Sequence, residues 1–168
     1  MTEEKKFKIS QMFEENIKRD GWTIAGVIPN SDGGNDIQGL DKNACYVYTI
    51  AATSFLGCEL LIAGKIAIQQ MQALIIAVEP ILKAVTITEG EYKVDAIKVN
   101  SPNGPVPLRF YLKEITGESV LDEIITNRAD NFNKVFQLYY GDTNNGLPTD
   151  EGNIDEFSQV IHIPESND

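Results

Sequence analysis

The sequence predicts an α+β fold: a single domain with a largely antiparallel mixed sheet and about three helices packed on it. Three observations carry this expectation. Runs rich in β-branched and aromatic residues recur along the chain, several as neighbours joined by short turns. Segments with apolar residues at three-and-four spacing interrupt them without strict strand–helix alternation. The length of 168 residues suits one domain that can stabilise itself by burial alone. The core is expected over about 5–163, with 164–168 a disordered tail after Pro164.

The elements follow in order. Residues 3–20 read as a helix, with Ile9, Met12, Phe13 and Ile17 on one face and Gly21 placed to end it. Trp22 to Ile28 reads as a strand stopped by Pro29, and 30–43 as a loop of Gly, Asn and Asp. Tyr46 to Ala52 and Glu59 to Ala63 read as strands, with Thr53 to Cys58 a short connection. Residues 66–85 give the clearest signal. Met71, Leu74, Ile75, Val78, Leu82 and Val85 form an apolar stripe, and Pro80 predicts a kink or a stop near Glu79. Strands are expected at 92–99 and 106–115, around a turn at 101–105 with an Asn-Gly cue. A helix over 119–133 capped by Ser119, a strand over 135–140 and a turn-rich loop over 141–153 complete the chain.

Charge excludes whole classes of function. The chain carries 25 acidic and 14 basic residues, a net charge of −11. Phosphate backbones and anionic membranes both require clustered cations. The nearest cluster, Lys5, Lys6, Lys8, Lys18 and Arg19, is interleaved with Glu3, Glu4, Glu14 and Glu15 and reads as a solvated helix face. Neither nucleic acid nor membrane is an expected partner. The N-terminus lacks a positive-then-apolar signal pattern, so the expected location is the cytoplasm of a bacterium or an infected host cell, with Cys45 and Cys58 as reduced thiols.

Absent motifs narrow the chemistry further. There is one histidine, His162, and no GxxxxGK[ST], GxGxxG or GxSxG sequence, so no cofactor is expected. Cys58, His162 and an acid could in principle form a nucleophile–base–orienter set, and a buried cysteine is the commoner role. Asp142, Asn144, Asp150, Glu151, Asp155 and Glu156 are hard oxygen ligands suited to Ca²⁺ or Mg²⁺. The twelve-residue calcium spacing fails, because Gly146 comes one position early and the twelfth residue is Asn153. No metal is assigned, and Asp142 with Asp150 are the ligands of the weaker alternative. Trp22, Tyr46, Tyr48, Phe136, Tyr139 and Tyr140 lie on expected strands, where rings either fill the core or line a pocket able to stack a base or sugar.

These residues resemble a family. Gly21-Trp22 closes the first helix, Tyr48-Thr49 ends a strand, and Glu59-Leu60 opens one that finishes at Gly64. Val135 to Tyr140, then Asp142, Gly146 and Pro148, complete an order that resembles the domain-of-unknown-function 4262 family over roughly 10–155. Its members are small proteins of bacteria and their phages without an assigned activity. The chain departs from the family pattern at Ala51, Gly57, Cys58 and Thr149. The resemblance implies a shared site more than a function.

The expected function is that of a non-enzymatic accessory protein binding a small molecule, of nucleotide-like type among the candidates, in an aromatic and polar cleft. Its expected lining is Trp22, Tyr48, Thr49, Glu59, Gln137, Tyr139 and Asp142, on the argument that polar groups at strand ends converge. Lys65, Arg109, Lys113 and Arg128 are the cations available to an anionic ligand. Two other readings stand beside it: an acidic inhibitor or immunity protein for a basic partner, and a metal-assisted hydrolase around Asp142. A homo-oligomer is among the expected states.

Overall fold

The computed structural model describes residues 3–29, 37, 39–115 and 134–162. The helix expected over 119–133, most of the 30–43 loop and the tail after Pro164 lie outside the described residues. Helix α1 (Glu3–Asp20) ends at Gly21, whose N–H donates to the Ile17 carbonyl at 2.8 Å with φ at +85°. Only glycine enters that region without steric cost. Phe13 and Ile17, one turn apart, pack against the sheet. Met12, expected on the same face, is 51% exposed, because one residue of helix rotates the side chain about 100°.

Strands β1 (Thr23–Val27) and β2 (Cys45–Ile50) follow. β2 is shorter than expected because Ala51 turns the chain with a φ of +70°. The expected irregular connection over 53–58 is instead one helical turn, α2 (Thr53–Leu56), closed by Gly57 in the left-handed region. β3 (Glu59–Gly64) leads to α3 (Ile68–Lys83), which buries Met71, Ile75, Val78 and Leu82. α3 does not stop near Glu79. Pro80 and Ile76, whose carbonyl the missing N–H would have engaged, both face outward, where water serves that carbonyl.

β4 (Gly90–Ser101) and β5 (Gly104–Glu114) form a hairpin longer than expected, paired up to Ser101 and Gly104. Pro105 and Pro107 are tolerated in β5 because its pairing with the next strand begins only at Phe110. That strand is β6 (Val135–Tyr140), buried along its whole length. The six strands are ordered β1-β2-β3-β6-β5-β4, and every pair is antiparallel except β3 with β6. This is the expected α+β, largely antiparallel mixed sheet.

Two cores flank the sheet. On one face, α2 and α3 pack over Val47, Leu60, Ile62, Phe110, Leu138 and Tyr140. On the other, Phe13 and Ile17 of α1 cover Tyr46, Tyr48, Ile50, Leu61 and Val135. No described helix is long and apolar enough to cross a membrane.

Candidate functional site

Strand direction sorts the expected site residues to two ends of the sheet. The antiparallel β1–β2 and β2–β3 pairs, with Thr23 opposite Ile50 and Tyr48 opposite Leu61, bring Trp22, Thr49 and Glu59 to one end. β6 runs parallel to β3, with Glu59 level with Val135. Asp142 lies beyond the far end of β6, so at about 3.3 Å per residue it is roughly 20 Å from Glu59. Glu59 and Asp142 therefore do not share a cleft, as convergence of strand ends would have required.

At the first end, Glu59 is only 3% exposed and its carboxylate is saturated. Oε1 accepts from Thr49 Oγ1 and from the Ala52 N–H, both at 2.9 Å. Oε2 accepts from the Thr53 N–H at 2.7 Å and from the Thr53 hydroxyl. Thr49 Oγ1 in turn accepts the Leu60 N–H at 2.8 Å. A buried carboxylate without a cation requires this many donors. The node pins the start of α2, and α2 carries Phe55.

Phe55 meets Trp22 edge to face, with ring centroids 5.8 Å apart. Lys83 Nζ sits 5.5 Å from the centroid of the Phe55 ring. Thr49 and Glu59 thus act through α2 to brace the indole. Trp22, the one tryptophan of the chain, in turn lines a cleft of about 480 Å³ with Asn16, Asp20, Thr23, Ile24, Gln72 and Ile76. Asn16 Nδ2 donates to Thr23 Oγ1 at 3.2 Å, which ties α1 to β1 across the floor. Arg19 donates to both Asp20 oxygens and to Asn16 Oδ1, and holds the Asp20 carboxyl below its usual value. Ile76 is 60% exposed beside the half-buried Trp22.

No protein-family model, curated protein or solved structure matches this chain.

The remaining expected residues are committed elsewhere. Tyr48 is buried and stacks on Tyr46 at 6.3 Å, on the same face as alternation requires. Tyr139 stacks on Tyr111 at 6.3 Å, and burial pushes its hydroxyl up to about 12. Tyr140 lies on the opposite face against Phe157. Gln137 is fully buried, and its Nε2 donates to the Gln159 carbonyl at 2.6 Å. Gln159 was not singled out by sequence. Its Oε1 accepts the Tyr140 N–H and its Nε2 donates to the Tyr140 carbonyl, extending β6 beyond its register with β3.

The acidic loop spends its oxygens on its own turns. Asp142 Oδ1 accepts the N–H groups of Asn144 and Gly146 at 2.9 and 2.8 Å. Asp150 takes both terminal nitrogens of Arg109 at 2.9 Å, and Arg109 Nε donates to Glu91 at 2.7 Å. Asp155 accepts the N–H groups of Gln159 and Val160, and Glu156 accepts from Thr143. Among the described residues no cluster of three or more such groups is arranged to hold a metal.

Cys58 is buried in the core, and burial with neighbouring Glu59 pushes its thiol up to about 12. A thiol so held is a poor nucleophile. His162 is exposed, and its backbone N–H donates to the Gly39 carbonyl at 2.9 Å. Both cysteines are free. Cys45 pairs with Gly64 at one end of β3 while Cys58 precedes the other end, roughly 20 Å away and far beyond disulfide reach.

Asn16, Gln72 and Ile76 were not anticipated as lining. One signal existed for Ile76: it is an apolar residue off the buried stripe of α3. Asn16 and Gln72 are ordinary polar helix positions, which sequence gives no reason to single out.

Proposed function

We propose that this protein is a non-enzymatic module that binds a small molecule in the Trp22 cleft. The observation that carries this reading is the cleft itself. It joins a half-buried tryptophan, two aliphatic side chains and a few polar groups in a volume typical of ligand sites. Gln72 supports it as a polar lining residue whose side chain makes no hydrogen bond to another described residue. The bracing of the indole from behind by Phe55 supports it as well, since a ring fixed in advance loses less freedom on binding. The acid and hydroxyl groups that line the cleft, Asp20 and Thr23, are engaged by Arg19 and Asn16, which favours holding a ligand over transforming it.

The test is native mass spectrometry of the purified protein together with a thermal-shift screen that also follows Trp22 emission. A retained ligand, or a compound that both raises Tm and shifts emission, is the expected result. A clean apo mass with neither response to any compound would remove the reading. The second reading, an interaction protein for a basic partner, rests on the net charge of −11. It expects capture that weakens as salt rises, and capture indifferent to salt would count against it.

A further inference from the structure

We infer that the Trp22 cleft takes an uncharged planar nitrogen heterocycle, a nucleobase or nucleoside, and discriminates against its phosphorylated form. This inference rests on the small-molecule reading of the cleft and adds the ligand's charge and shape.

The cleft lining is short of positive charge. Its one ionisable side chain is the carboxylate of Asp20, and no lysine or arginine lines the cleft among the described residues. The nearest cation by contact is Arg19, which is engaged by Asp20 and Asn16. The other described cations do not line the cleft. Arg109 is held by Asp150 and Glu91, Lys65 pairs with Asp41 at 3.0 Å, and Lys83 lies over Phe55. A phosphate in this cleft would face the Asp20 carboxylate, which already offsets the charge of Arg19, on a chain of net charge −11. Like charges brought together at a partly screened surface repel.

Trp22, Ile24 and Ile76 offer apolar surface, which suits a flat ring. Gln72 supplies an amide with one acceptor and two donor positions. A carboxamide matches the adjacent donor and acceptor of a base edge in two parallel hydrogen bonds, as Gln and Asn do with adenine. A saturated lipid chain would leave that amide unpaired, and a sugar phosphate would meet Asp20.

The experiment is a titration of the full chain, followed by Trp22 emission and by calorimetry, with adenine, adenosine and adenosine 5′-monophosphate as probes. Guanine and uracil series are run in parallel. The expected result is saturable quenching by base or nucleoside, with the monophosphate at least about tenfold weaker. Asp20→Asn should narrow that difference, and Gln72→Ala, on the outer side of α3, should weaken the nucleoside about tenfold with Tm unchanged. A monophosphate that binds as tightly as the nucleoside, or more tightly, overturns the inference and leaves the binding site standing. No saturable response to any base, nucleoside or nucleotide overturns the inference, while a response to other compounds in the thermal-shift screen would keep the small-molecule reading.

Discussion

Replacing Glu59 with glutamine keeps the size of the side chain and changes only what it accepts. The native carboxylate takes two backbone N–H groups, from Ala52 and Thr53, and two hydroxyls, from Thr49 and Thr53. In Glu59→Gln one oxygen becomes an NH₂ donor. Each carboxylate oxygen accepts one of the two backbone N–H groups, so either amide orientation sets that N–H against another donor. A hydrogen bond to a charged group is worth about 1.5–3 kcal/mol, and a stranded buried donor costs about 1–3 kcal/mol. The threonine hydroxyl on that side can rotate to accept from the NH₂, which recovers about 1 kcal/mol. Relief from burying a carboxylate offsets a further part. The net expectation is a loss of about 2–4 kcal/mol, a large share of a typical domain's stability. Urea unfolding measures it as a lower midpoint at unchanged slope. Because the node holds α2, and α2 holds Phe55 against Trp22, native-state emission should shift as well. A stability change under about 0.5 kcal/mol with unaltered emission would refute the claim that Glu59 braces the cleft.

Three further outcomes are expected. Ala51→Gly should stabilise by about 0.5–1 kcal/mol in thermal or urea unfolding, because φ at +70° costs a non-glycine residue about 1–2 kcal/mol and glycine's looser unfolded chain returns about half. Gly64→Ala should destabilise by about 3 kcal/mol, since φ is +150° and the added methyl would collide with the Tyr140 hydroxyl and the Phe157 carbonyl; a Tm within a degree of the parent would contradict this. Asp150→Asn should cost about 1 kcal/mol at pH 7 by removing the charge that both terminal nitrogens of Arg109 engage. Arg109 holds Asp150 below the usual carboxylate value, so this contribution is complete above about pH 4 and fades as pH falls through the lowered value. The gap between parent and variant should therefore close in acid, and a gap that is constant from pH 7 to pH 2 would refute the pairing.

Local patterns in the chain were sufficient for most of the elements. The 3.6-residue stripe of α3, Gly21 after α1 and the runs that became β2, β3 and β6 are set by neighbours in sequence, so they can be read there. Pro80 misled, because its cost depends on whether the freed carbonyl faces water, which is a property of the packed helix. The one-turn helix α2 was also hidden, since its N–H groups are satisfied by Glu59 from the next strand. Thr49 and Glu59, at the two ends of a short connection, are hydrogen-bonded to each other and do not line the cleft.

What the sequence determined by itself was the α+β class, the net charge of −11 and which residues carry polar chemistry. What only the tertiary structure decided was their grouping. A strand's direction relative to a distant partner leaves no trace in local pattern, because β3 and β6 look the same whether they pair parallel or antiparallel. The parallel choice sends Asp142 to the opposite end from Glu59 and leaves Trp22 as the ring at a cleft. Helices α1 and α3, on opposite faces of the sheet, come together around the edge strand β1 and add Asn16, Gln72 and Ile76, whose nearness is created by folding alone.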